Sequence, residues 1–114
     1  MSGSWITANE TRFSTYQSGL ISPISTTPGS PTALPAANTT VKNPEQILVQ
    51  AHRDNVGAII VAQGSTVQVD GSSGGFVLEA GQQQVLPNNT VSVWKMVATA
   101  AGQKLIYTYL AGAN

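Results

Sequence analysis

From Gln46 onward, apolar residues come in short runs rich in β-branched and aromatic side chains, separated by clusters of Gly, Asn, Asp and Pro. The runs are Ile47 to His52, Gly57 to Ala62, Thr66 to Val69, Phe76 to Glu79, Gln83 to Leu86, Thr90 to Val97, and Lys104 to Leu110. Each has strand length, and no sustained helical stripe interrupts them. Between them, Asp54-Asn55-Val56-Gly57, Gln63-Gly64-Ser65, the Asp70 to Gly75 stretch, Ala80-Gly81, Pro87-Asn88-Asn89 and Ala100-Ala101-Gly102 supply turn residues. The pattern predicts an all-β protein whose body, residues 46–114, is a β-sandwich or jelly-roll-like domain with almost no helix.

Alternation marks the core faces: Ile47, Val49 and Ala51 on one run, Val67 and Val69 on another, Phe76 and Leu78 on a third. Ala58 to Val61 and Val91 to Val97 are apolar on both faces, so both faces need cover, from a second layer of the same chain or from another subunit.

Upstream the pattern is lost. Five of the six prolines lie between Met1 and Pro44, and Ser22 to Asn38 shows neither a helical nor a strand period. Proline removes the ladder donor and restricts the residue before it, which predicts an extended, Pro/Ser/Thr-rich N-terminal arm over residues 1–45. The arm also carries Trp5, Ile6, Phe13, Tyr16, Leu20, Ile21 and Ile24, which need a surface to bury against. Two readings follow: these residues pack on their own domain, or the arm lies on a neighbour, with Trp5, Ile6, Phe13, Tyr16, Leu20 and Ile21 as the partner-binding residues. The second reading predicts that a chain starting near Asn43 still folds but binds its partner weakly.

At 114 residues the chain is one domain by size and can fold without disulfides, which its lack of cysteine rules out in any case. Five basic and five acidic residues give zero formal charge, and no two basic residues are adjacent. A nucleic-acid partner or an anionic membrane surface calls for clustered Lys and Arg, so neither is expected. No stretch is long and apolar enough for a membrane span, and MSGSWITANETRF lacks the form of a signal peptide, which predicts synthesis in the cytoplasm.

Candidate chemistry is sparse. His52, in His52-Arg53-Asp54, reads as a base beside a carboxylate or as a polar residue at a hairpin mouth; no G-x-S-x-G accompanies it. Zinc needs three or four His or Cys ligands and the chain has one histidine. The Asp70 to Gly75 stretch offers calcium a single carboxylate and reads better as a hairpin tip. Three Asn-x-Thr tripeptides are chance matches in an Asn- and Thr-rich chain. Trp94, Tyr107 and Tyr109 form either an exposed aromatic platform for sugar rings or part of the interior. The expectation is a protein without catalysis, cofactor or metal.

Asn55-Val56-Gly57-Ala58-Ile59-Ile60-Val61, Gly75-Phe76-Val77-Leu78 with Ala80-Gly81, Val91 to Ala98, and Ala101-Gly102-Gln103-Lys104-Leu105-Ile106-Tyr107 together resemble a recurrent bacteriophage virion domain. The shared pattern is a strand N-x-G-x-I-x-V, a G-F-x-L-x-x-G turn and strand, a strand ending in Ala, and a G-Q/E turn before the last strand. It spans roughly Ile47 to Leu110 and contains no catalytic signature. Such domains are similar to capsid decoration (cement) proteins and to modules of head and tail fibres. The resemblance implies a structural role on the outside of a phage capsid, with the major capsid protein as partner and assembly into homo-oligomers, trimers or dimers. It also implies a place on the virion surface after synthesis in the host cytoplasm. The alternative it leaves is a carbohydrate- or receptor-binding module of a phage fibre.

Overall fold

A computed structural model describes residues 15–111. It is an all-β sandwich of two four-stranded antiparallel sheets. In chain order the strands are β1 (Thr15–Ile21), β2 (Thr32–Ala33), β3 (Gln46–Ala51), β4 (Ile59–Gln63), β5 (Phe76–Leu78), β6 (Gln83–Leu86), β7 (Trp94–Ala98) and β8 (Leu105–Ala111). One turn of 3-10 helix, Val91–Val93, leads into β7. The first sheet runs β1-β8-β3-β6 and the second β2-β7-β4-β5. The chain therefore changes sheet at every step from one strand to the next except β4 to β5.

The two inner faces interdigitate as a sandwich core. Ile47, Val49 and Ala51 of β3 and Leu105, Tyr107 and Tyr109 of β8 meet Ile59 and Val61 of β4 and Trp94, Met96 and Ala98 of β7. Most of the predicted strands are present. Thr66 to Val69 is not one of them: Val67 is buried, but its N–H donates to the carbonyl of Pro28 at 3.1 Å, while Val69 is exposed. Val67 instead covers the outer side of the second sheet, where Ile60, Ala62 and Val97 form a smaller buried cluster with it. The doubly apolar strand β4 is thus covered on its outer side by its own chain and needs no second subunit there.

Residues 15–45 are extended, as their prolines require, but they are built into the sandwich instead of standing apart from it. β1 pairs with β8 along its whole length, from Thr15 opposite Ala111 to Ile21 opposite Leu105. β2 pairs with β7, and Ile24, Leu34 and Val41 are buried in the main core. Proline explains the form of this packing. It donates no N–H to a ladder, yet its carbonyl still accepts: Pro28 from Val67, Pro35 from the Tyr109 hydroxyl at 2.6 Å, and Pro44 from the Asn89 side-chain amide at 3.0 Å. No structural boundary falls at residue 45.

Candidate docking face

The outward-facing residues of the first sheet lie in three rows across its strands. Tyr16, Leu110 and Gln46 form one row. Ser18, Thr108, Leu48 and Val85 form the next, and Leu20, Ile106, Gln50 and Gln83 the third. None of these side chains is charged. Tyr16 is 68 % exposed, Leu20 54 % and Val85 44 %, while Leu48, Ile106 and Leu110 are partly exposed between them. With strands about 4.8 Å apart and rows about 7 Å apart, the face measures roughly 300 Å² in plane, and six of its eleven side chains are apolar.

β1 gives the face its character because its amphipathicity is reversed. Thr15, Gln17, Gly19 and Ile21 turn inward, while Tyr16, Ser18 and Leu20 face out. Two inward contacts account for this. A Cβ at Gly19 would lie 2.7 Å from the Tyr107 hydroxyl, so only glycine lets β1 lie over that ring. Gln17 binds the 36–38 segment, donating from Nε2 to the Ala36 carbonyl at 3.3 Å and accepting the Asn38 N–H at 2.7 Å. Bulky apolar residues on β1 are left to solvent. Ser18 Oγ is tied to the Tyr107 carbonyl at 2.9 Å, which holds the middle of the strand flat on β8.

Of the residues expected to bind a partner, Tyr16 and Leu20 therefore lie on this face. Ile21 turns inward against the core, because its parity on β1 is that of Gly19. Trp5, Ile6 and Phe13 lie outside the described residues. The expected aromatic platform does not form. Trp94, Tyr107 and Tyr109 are all buried: Trp94 stacks near Phe76 with ring centroids 6.2 Å apart, and the two tyrosines lie 4.9 Å apart inside the sandwich. Burial, with repulsion from Tyr107, pushes the Tyr109 hydroxyl well above the usual tyrosine range.

The residues that carried the family resemblance form a structural latch. Gln103 is buried, and its Oε1 accepts the N–H groups of Val56 at 2.8 Å and Gly57 at 2.9 Å, while its Nε2 donates to the Ala101 carbonyl. Asn55 exchanges two 2.8 Å bonds with the backbone of Lys104. The N-x-G and G-Q-K segments thus close on each other and join the turn after β3 to the start of β8. These polar groups satisfy backbone, which is the usual role of a buried amide.

Elsewhere the polar side chains also serve the backbone. His52 Nδ1 accepts the Asp54 N–H at 3.1 Å and lies 3.8 Å from the Asp54 carboxylate, in the turn that carries the chain from β3 to the other sheet; β3 and β4 are not paired, so the expected hairpin mouth is not formed there. Asp70 accepts the Ser72 N–H at 2.9 Å, and hydrogen bonds from Ser72 hold its carboxyl below the ordinary aspartate value. Among the described residues no three His, Cys, Asp or Glu gather as a metal would require, and no helix is long and apolar enough to cross a membrane. A groove of about 630 Å³ lies beside β2, walled by Leu34, Ala37, Pro44 and Val91, but the Lys95 ammonium at its edge is already bonded to the Ser92 carbonyl at 2.7 Å.

In comparisons with known proteins, no family model, no curated protein and no solved structure matches the chain.

Proposed function

We propose that this chain is a non-catalytic structural protein that docks on the outside of a bacteriophage capsid through the outer face of the first sheet and stabilises the shell. The observation that carries this reading is the face itself: three uncharged rows on a rigid four-stranded sheet, with Tyr16, Leu20 and Val85 exposed. Burying such a face against another protein releases water from apolar surface and strands no charge. Because the rows are fixed by the strand ladder, little ordering entropy is lost when they dock. The strand-and-turn resemblance to virion domains and the nearly uncharged composition support the same reading, with the major capsid protein as partner.

The test is mass spectrometry of particles purified from cultures that make the chain, followed by rebinding of the recombinant protein to shells stripped of it. Leu20→Lys combined with Val85→Lys changes only exposed side chains, so it should leave the melting temperature nearly unchanged and weaken shell binding by about tenfold or more. Absence of the chain from particles, or shell binding indifferent to both lysines, would sink the proposal.

A further inference from the structure

Every open sheet has two edges, and exposed edges invite pairing unless they are short, twisted or guarded. Three of the four edges in this sandwich are managed. β2 has two residues and stands between Pro31 and Pro35. β5 has three and follows Gly74 and Gly75, both at positive φ. β6 has four and runs directly into Pro87. The fourth edge, β1, has seven residues with no proline and no charge. Among the described residues, its backbone bonds only to β8.

We propose that the outer edge of β1 pairs with the same edge of a second copy, antiparallel and about a two-fold axis, joining the two first sheets into one of eight strands. The inference rests on this edge and not on capsid docking. The sequence of β1 fits its own copy. A two-fold contact requires that where residue i meets j, residue j also meets i. For the outer faces to be continuous, residues 16, 18 and 20 must stand opposite residues of the same parity. Centring the pair on Ser18 meets both conditions and uses all seven residues.

In that register Tyr16 stands opposite Leu20 of the second copy, Ser18 opposite Ser18, and Leu20 opposite Tyr16. Two aromatic–aliphatic cross-strand pairs thus flank a small central pair. No like charges meet anywhere along the contact, since the strand has none. The pairing would also place the uncharged faces of the two copies side by side as one continuous surface.

Sedimentation of the intact chain across a range of concentrations should show a monomer–dimer equilibrium. Because the chain lacks cysteine, Ser18→Cys places one thiol beside its own symmetry mate at a strand-pair separation that a disulfide spans. Mild oxidation should give a covalent dimer from Ser18→Cys and none from Gln83→Cys on the opposite edge. Ser18→Lys sets two like charges face to face and should weaken the dimer by about tenfold or more while leaving the melting transition of the monomer cooperative. A monomer at every concentration, a closed trimer, or a dimer that Ser18→Cys fails to crosslink would each overturn the proposal. So would dimerisation that appears only after residues 1–14 are removed, since the chain's own N-terminal segment would then occupy the edge.

Discussion

Removing everything before Asn43 should abolish cooperative folding, the reverse of what a detachable arm predicts. The deletion takes away β1, the only strand paired with the outer side of β8, together with Ile24, Leu34 and Val41 from the main core. Each of those three side chains is worth about 1.5–3 kcal/mol of burial, so on the order of 5–9 kcal/mol is lost from burial alone. Domains of this size are stable by only about 5–15 kcal/mol in total. Hydrogen bonds across the same boundary go as well. Ile24 N–H to the Gln103 carbonyl (3.0 Å), Ala98 N–H to Ser25 (2.8 Å) and Val67 N–H to Pro28 (3.1 Å) all vanish, and the buried Tyr109 hydroxyl is orphaned. Circular dichroism and calorimetry of the shortened chain decide the matter: the expected result is a weak strand signal and no heat-absorption peak. A cooperative melt within a few degrees of the intact protein would refute the packing described here. Ile24→Ala and Leu34→Ala give a graded check, each expected to cost about 2–5 kcal/mol.

Tyr109→Phe leaves the Pro35 carbonyl without its donor and should cost about 1–3 kcal/mol, a drop of roughly 4 °C per kcal/mol in melting temperature. Because burial raises the folded-state pKa of this hydroxyl above its ordinary value of 10.0, its contribution is full below that pH and is lost as pH rises beyond it, so alkaline unfolding should be less steep in the variant. Gly75→Ala should cost at least about 2 kcal/mol in chemical denaturation, since position 75 sits at φ +87° and a Cβ there would collide with the Val61 carbonyl and Ala62; an unchanged midpoint would mean the loop between β4 and β5 rearranges freely.

What the sequence disclosed and what it hid divide along physical lines. β3, β5, β6 and β8 were legible because turn residues bracket them, and in β3 a period of two marks the inner face as well. Ile24, Leu34 and Val41 were not, because each enters the core singly, from extended chain whose neighbours point elsewhere; no window contains a repeat for periodicity to detect. β1 was hidden for the opposite reason. It alternates, but its large residues are on the outside, so a rule that equates apolar with inward assigns it to a partner-seeking arm. Of its large residues, Tyr16 and Leu20 do face out. Thr66 to Val69 shows the converse error: Thr-Val-Gln-Val has strand composition, but the Val67 N–H is taken by the Pro28 carbonyl, and Ser73 Oγ accepts the Gln68 N–H at 3.0 Å.

The docking face required one further piece of information, the register. β8 carries Leu105, Tyr107 and Tyr109 on one parity and Ile106, Thr108 and Leu110 on the other, and hydrophobicity alone does not say which parity faces in. β3 is unambiguous, because Gln46 and Gln50 mark its outer side while Ile47, Val49 and Ala51 mark the inner. Pairing passes that decision across the sheet, since opposite residues in an antiparallel ladder share a face. Tyr109 lies opposite Ile47 and Tyr107 opposite Val49, so both tyrosines go inside and no aromatic platform can form on that strand. The same step taken once more, from β8 to β1, puts Leu20 with Ile106 and Tyr16 with Leu110 on the outside. Two registers thus turn an ambiguous apolar strand and an apparent tail into a single uncharged surface. These pairings join residues 54 to 96 positions apart in the chain, a distance that no local sequence window spans.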